Sequence, residues 1–268
     1  MAALPVFLFL SLFLRQSLCQ QSYVGNETNC SNNTTSTPKG YVCIDSIYSC
    51  SSSYLTFRSK PPYDTQSTIS DLFAGYVYKT TLNNGSLFAT SISCSCVRRS
   101  YRTISYYTIK RGDSYEKIAY DIYQGLVSCS ALKSQNQQDY AVDNTSSIDM
   151  ILQVPLRCAC PTKAQEANGV KALYVYMLQP DESIGSVARD FGVEEHSVLE
   201  ANKLSNTSRI YPFTPILVPL NQTDICRIHP DSYNPYCRNS PSSDLAQQLS
   251  SIFIYYVSIP IGLSLSGV

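Results

Sequence analysis

Cysteine thiols can cross-link in pairs, hold zinc or attack a substrate, and this chain of 268 residues has eleven of them. Ten run through its body: Cys30, Cys43, Cys50, Cys94, Cys96, Cys129, Cys158, Cys160, Cys226 and Cys237. Zinc ligand pairs usually hold two to four residues between their cysteines. Here the repeated unit is Cys-x-Cys (Cys94-Ser-Cys96 and Cys158-Ala-Cys160), and the whole chain has two histidines. The chemistry expected of these thiols is therefore disulfide formation in an oxidising compartment, with no metal and no cofactor. The acidic residues Asp113, Asp121, Asp181, Glu182 and Asp190 are scattered over caps and loops, and nothing in the sequence pairs them for acid–base work. Twenty basic against twenty acidic side chains give zero net charge, which argues against a nucleic-acid partner. Hydrophobic residues at 44% are enough for a packed core.

The ends agree with that compartment. An apolar run from Leu4 to Leu14 is too short to span a bilayer and fits a secretory signal over residues 1–19, with Ser17 and Cys19 as the small residues before a cut at Gln20. Cleavage discards Cys19 and leaves an even ten. Asn-x-Ser/Thr occurs at Asn26, Asn29, Asn32, Asn33, Asn84, Asn144, Asn206 and Asn221, the pattern of a glycosylated extracellular surface. Residues 245–268 carry no charge, and 252–268 are mostly apolar. They read as a truncated membrane span, as a GPI signal following Ser242, Ser243 and Asp244, or as an unstructured tail. Membrane attachment through this tail is the expectation, with a secreted protein as the alternative.

The elements that must position these residues appear as an internal repeat. Gly112-Asp113-Ser114-Tyr115 through Ile122 superposes on Asp181-Glu182-Ser183-Ile184 through Phe191 at an offset of 69, with apolar residues at i, i+3, i+4 and i+7 in both. A Ser at the start of each stretch suits a helix N-cap. Ser134-Gln135-Asn136 matches Glu200-Ala201-Asn202 at the end of a second short helix. Ile151–Leu156 matches Pro215–Leu220, each predicted as a short strand halted by its proline. Strand-like Tyr106–Ile109 and Leu173–Tyr176 stand upstream. Each unit is thus strand, helix, helix, strand. An earlier copy, with Tyr54–Phe57 and then Ile69, Leu72, Phe73 and Tyr76 at helical spacing, is shortened by about the length of the second helix and its loop. Units this small bury too little surface to be robust alone, so disulfides centred on the Cys-x-Cys pairs are expected to join neighbours.

Cys43…Cys50-Ser-Ser-Ser-Tyr54-Leu-Thr-Phe-Arg-Ser, Tyr107-Thr-Ile-Lys-Arg-Gly112-Asp113-Ser114-Tyr115, Val154-Pro-Leu-Arg-Cys158-Ala-Cys160-Pro and Tyr211-Pro-Phe-Thr-Pro-Ile-Leu-Val-Pro-Leu220 together resemble the ectodomain of plant LysM receptor-like kinases of the LYK/LYR class, receptors for chitin and lipochitooligosaccharides. The resemblance covers 43–220. It implies an α+β fold of three tandem βααβ modules, the first shortened, tied by disulfides through Cys-x-Cys spacers. The implied layout is an N-terminal extension over 20–42, modules over 43–96, 104–160 and 171–220, a stalk over 221–251 and an apolar tail over 252–268. By the family pattern Cys43 pairs with Cys96, Cys50 with Cys160 and Cys94 with Cys158; the cysteines left over are assigned as Cys30 with Cys129 and Cys226 with Cys237.

Such ectodomains bind N-acetylglucosamine oligomers between two loops of a module. The resemblance places them in the second module at Lys110, Arg111, Gly112, Asp113, Ser114 and Tyr115, and at Asp139, Tyr140, Ala141 and Val142. Glycine there would let backbone amides approach a neutral sugar, while Tyr140 and Val142 would cover its apolar faces. The competing reading makes Asp113 and Ser114 a helix cap and Tyr115 core, with binding by the neighbouring backbone still compatible. Two departures stand out: Asp149 lies where the family has a turn glycine, and Gln179-Pro180-Asp181-Glu182 lacks the Gly112 equivalent. No Gly-rich nucleotide loop or kinase catalytic loop is present, and no carboxylate pair for glycan hydrolysis. The expectation is therefore a non-enzymatic ectodomain at the outer face of the plasma membrane, binding chitin or a lipochitooligosaccharide alongside a LysM receptor kinase. The alternative is a protein-interaction scaffold or truncated receptor product without sugar binding.

Overall fold

The computed structural model describes residues 30, 40–43, 49–82, 86–97, 99–136, 148–230 and 237. The signal segment, the apolar tail, the loop containing Asp139–Val142 and the sequons at Asn26, Asn29, Asn32, Asn33, Asn84 and Asn144 lie outside these residues. Strand β1 (Ser49–Arg58) leads to helix α1 (Gln66–Phe73), the short β2 (Val77–Lys79) and β3 (Leu87–Val97). The second unit is β4 (Ser100–Thr108), α2 (Lys117–Ile122), α3 (Cys129–Gln135) and β5 (Ile151–Arg157). Helix α4 (Lys163–Ala167) links it to the third, which is β6 (Ala172–Met177), α5 (Ile184–Phe191), α6 (Glu195–Ala201) and β7 (Pro215–Leu220), followed by α7 (Gln222–Ile228). The first unit carries β2 where the others carry a second helix.

The three units share one sheet in the order β5-β4-β3-β1-β6-β7, with β2 added to β3. β3 and β4 pair antiparallel at their ends, whereas β1 and β6 pair in parallel through Ser53–Leu173, Tyr54–Tyr174 and Leu55–Val175. All six residues of β6 are buried, as expected for a strand covered on both faces. Leu173, Val175 and Met177 pack with Leu55, Phe57 and the helices α1, α2 and α3. Ala172, Tyr174 and Tyr176 pack on the other side with Tyr54 and the apolar faces of α5 and α7.

Five disulfides are present: Cys30–Cys129, Cys43–Cys96, Cys50–Cys160, Cys94–Cys158 and Cys226–Cys237. Cys50 and Cys94 face each other across β1 and β3, and each bonds to one cysteine of the Cys158-Ala-Cys160 turn. These bonds lock the first unit to the second. The third unit is held by the sheet, by the core and by bonds such as Thr56 Oγ1 to the Val175 carbonyl at 2.9 Å.

Three local details differ from the periodicity. Pro155 and Pro219 do not halt their strands; β5 and β7 run on to Arg157 and Leu220. Both are edge strands, where a missing N–H costs no ladder bond. Tyr76 falls outside α1, which ends at Ala74 in a left-handed conformation, and it is exposed. The Ile118–Ile122 stretch is helical but widened: Tyr123 N–H donates to the Ile118 carbonyl and Gly125 N–H to that of Ala119, the i+5 and i+6 bonds of a π-type turn.

Candidate functional site

The turn between β4 and α2 contains the six residues of the first predicted loop. Lys110, Arg111 and Gly112 are exposed, Ser114 and Tyr115 are half-buried, and Asp113 is buried. Gly112 sits at φ +82, and a Cβ there would meet nothing within 4 Å. Glycine is used here for its backbone angle, not for close packing. Asp113 points inward. Its Oδ2 accepts from the Tyr107 hydroxyl at 2.8 Å and from Lys110 N–H at 2.8 Å, while Lys117 Nζ approaches Oδ1 at 3.4 Å. Ser114 Oγ accepts from Lys117 N–H at 3.1 Å, capping α2. Tyr115 packs on the core. The turn thus presents Lys110, Arg111, the Gly112 backbone and one side of Tyr115 to solvent, on a base fixed by Asp113 and Ser114. Burial, followed by the Asp113 bond, pushes the Tyr107 hydroxyl far above the ordinary tyrosine range.

The third unit repeats this base with altered residues. Glu182 stands for Asp113: its Oε1 accepts from the Tyr176 hydroxyl at 2.6 Å and its Oε2 from Gln179 N–H at 2.8 Å. Asp181 stands for Gly112 and holds φ +67, so the missing glycine leaves the turn intact. Asp149, at φ +68, likewise adopts the conformation a glycine would supply. A second staple closes each unit. Asn136 Nδ2 donates to the Leu132 and Gln153 carbonyls at 2.8 and 2.9 Å, and its Oδ1 accepts from Gln153 N–H at 3.0 Å. Asn202 makes the same three bonds to Val198 and Leu217, at 2.7, 2.8 and 2.8 Å. Both asparagines are buried, and both join the second helix to the last strand. In the first unit α1 opens with Thr65 as its cap, and neither staple has a counterpart among the described residues.

The sequence reading missed the junction of the units. Arg58 at the end of β1 receives a backbone bond pair from Gln124: Arg58 N–H donates to Oε1 at 3.1 Å, and Nε2 donates to the Arg58 carbonyl at 2.8 Å. Its guanidinium donates to the Tyr176 hydroxyl, lies 5.2 Å over that ring and is 3.5 Å from Glu182. These partners are 66 and 118 residues away, so no local pattern announces them. His229, also unremarked, is fully buried with its ring stacked on Tyr54 and Tyr174. His196 lies exposed on α6.

Asn206 and Asn221 are exposed, and Asn221 Oδ1 caps α7 by accepting from Asp224 N–H at 2.9 Å. Cys30, Glu116 and Cys129 are the one metal-like cluster among the described residues, and both cysteines there are bonded to each other. No helix among the described residues is long and apolar enough to cross a membrane.

Comparison with known proteins agrees with this architecture. The LYK3/4/5 LysM2 domain matches residues 101–157, and the LYK4/5 LysM3 domain matches residues 173–220. Protein LYK5 of Arabidopsis thaliana is 36% identical over 242 residues, covering 81% of this chain and 35% of LYK5. Chitin elicitor-binding protein of Oryza sativa subsp. japonica is 24% identical over 205 residues, covering 73% of this chain and 55% of that protein. This chain therefore spans about a third of LYK5 and about half of the rice protein. The crystal structure of the LYK3 ectodomain superposes with a TM-score of 0.50 at 18% identity, over 63% of this chain and 89% of that one, a likeness of fold. With two matched LysM domains, a shortened unit before them and this disulfide framework, the chain belongs to the LysM receptor-like ectodomain class.

Proposed function

We propose that this ectodomain binds neutral N-acetylglucosamine oligomers, chitin or a lipochitooligosaccharide, outside the cell, and works as a receptor or co-receptor with a LysM receptor kinase at the plasma membrane. The observation that carries the reading is the β4–α2 turn. Its carboxylate is consumed internally by Tyr107 and Lys110 N–H, so the surface left open is the Lys110 and Arg111 side chains and the exposed backbone at Gly112, beside one side of Tyr115. Backbone amide groups and an aromatic edge suit acetamide, hydroxyl and C–H groups of an uncharged sugar. Asp139, Tyr140, Ala141 and Val142 supply the second set of contacts in this proposal. The naming of one relative as a chitin elicitor-binding protein supports the same ligand class. Nothing in the reading calls for catalysis.

The experiment is calorimetric titration of the secreted ectodomain with N-acetylglucosamine oligomers of four to eight sugars. Gly112→Asp copies what Asp181 already does in the third unit, so the turn folds while a side chain enters the sugar's path. Binding weakened at least about tenfold in that variant, and in a Tyr140→Ala, Val142→Ala double variant, supports the proposal; about 1.4 kcal/mol corresponds to that factor. An unchanged isotherm in both contradicts it.

A protein-interaction role is the second reading. The face of β4 and β5 away from the helices exposes Ile104, Tyr106 and Ile151 at 36%, 59% and 61%. Absence of saturable heat at millimolar oligomer would favour that role over sugar binding.

A further inference from the structure

The three units meet around a cleft of about 540 Å³, within the range of roughly 300–1,000 Å³ that holds small ligands. Lys60 of the first unit, Tyr120, Asp121 and Gln124 of the second, and Gln179 and Phe213 of the third line it. Beneath it runs the network that joins Arg58 to Gln124, Tyr176 and Glu182. That network neutralises its own charges, since the Arg58 guanidinium faces the Glu182 carboxylate at 3.5 Å. At the rim remain Lys60 and Asp121, both exposed and neither ion-paired among the described residues. One charge of each sign leaves the mouth neutral overall.

Phe213 is the unexpected residue. It is 60% exposed and holds φ +59, a backbone angle rare for a bulky side chain. Asp149 occupies the corresponding place in the second unit, with φ +68 and the same outward turn bond: Asp149 N–H donates to the Ile109 carbonyl, and Phe213 N–H to that of Leu178. The left-handed turn therefore belongs to the module, and Asp, Asn or Gly serves it at lower cost. An exposed aromatic at that angle is not required by the fold. It sets an apolar ring at the edge of a cleft whose other walls include amides, a tyrosine, Met177, the Glu182-paired Arg58 and a balanced pair of charges.

We propose that this junction cleft is a second saccharide site, taking one or two rings of a neutral N-acetylated oligosaccharide, with Phe213 against a sugar face and Lys60, Asp121 and Gln179 at its hydroxyl and acetamide groups. Aromatic packing plus few convergent polar groups is the composition of a small-ligand site, and the cancelling charges select an uncharged one. The ligand class is that of the reading above, on which the inference rests; the location is independent of it. A sugar here touches all three units, so occupancy braces the third unit, which no disulfide ties to the others.

The test is calorimetry of the whole secreted ectodomain with the tetramer of N-acetylglucosamine, using Phe213→Asn and Gly112→Asp. Asparagine accepts the left-handed angle, so Phe213→Asn folds with a thermal midpoint at or above that of the parent. Two sites are expected in the parent, with Phe213→Asn and Gly112→Asp each leaving one. If Phe213→Asn binds like the parent, the junction site is overturned while the second-unit site stands. If Phe213→Asn abolishes binding and Gly112→Asp changes nothing, the junction site stands and the second-unit reading fails. Absence of saturable heat in the parent overturns both.

Discussion

The Tyr107 hydroxyl donates a 2.8 Å hydrogen bond to Asp113 Oδ2, and both groups are buried beneath the turn that the Gly112 backbone exposes. Replacing Asp113 with Ala leaves that hydroxyl and the Lys110 N–H without their acceptor. The expected loss is about 2–4 kcal/mol of stability, since an orphaned buried donor costs about 1–3 kcal/mol. Asp113→Asn keeps a carbonyl acceptor and should lose clearly less. Urea denaturation of the two variants checks this, and an Asp113→Ala cost below about 0.5 kcal/mol, the level of an ordinary surface change, would contradict the assignment.

The equivalent Tyr176–Glu182 bond gives a pH dependence. Burial first, and the Glu182 bond second, push the Tyr176 hydroxyl from the usual 10 up to about 12. The native state therefore keeps a proton that the unfolded chain releases. Its contribution is fully present below pH 10 and is lost as pH rises towards 12. Tyr107 and Tyr123 shift in the same direction, burial being the main cause in both. Denaturation midpoints should fall across that alkaline window, and more shallowly in Tyr176→Phe; a midpoint flat to pH 12 would be inconsistent with these buried hydroxyls.

Asn202 should be as important as a core residue despite its polarity. It is 2% exposed, and Asn202→Ala strands the Leu217 N–H and carbonyl, while the Val198 carbonyl keeps the backbone N–H of residue 202. A destabilisation of about 2–4 kcal/mol is expected. Amide exchange localises it: protection should drop at the α6–β7 closure while β4 and β5 keep theirs. Uniform loss over all units would show instead that the sheet unfolds as one.

The disulfides should differ in value. Cys94–Cys158 spans 64 residues and locks two units, whereas Cys226–Cys237 spans 11 at the periphery. Loop-closure entropy alone predicts about 4 kcal/mol for the first and about 3 kcal/mol for the second. Paired Cys→Ser variants compared by thermal unfolding should rank in that order, with the larger gap if the Cys94–Cys158 variant also loses packing between the units. The reverse ranking would place the main covalent constraint outside the unit junction.

Much of this was legible from spacing because it is local. Ile184, Val187, Ala188 and Phe191 mark a helix and are all buried on it. The same spacing over Tyr115–Ile122 cannot distinguish an α-helix from the wider turn observed, since the apolar stripe survives the extra residue. Asp149 and Asp181 looked like lost glycines, yet aspartate tolerates the left-handed angle, and both turns form. Asp113 was a candidate contact for ligand, but a tyrosine six residues before the carboxylate, at Tyr107 and again at Tyr176, was a signal that the group faces inward. The β1–β6 pairing and the Arg58 junction left no trace in the chain's periodicity, because they join residues from 66 to about 120 positions apart and depend on how whole units pack.

The central claim is that the exposed β4–α2 turn of the second unit receives a neutral N-acetylated saccharide. Its most direct test is titration of the secreted, disulfide-intact ectodomain with the hexamer of N-acetylglucosamine, parent beside Gly112→Asp. The account predicts saturable heat in the parent and affinity at least about tenfold weaker in Gly112→Asp, with both proteins equally folded. Equal affinity in the two, or no saturable heat from the parent at millimolar hexamer, would contradict it.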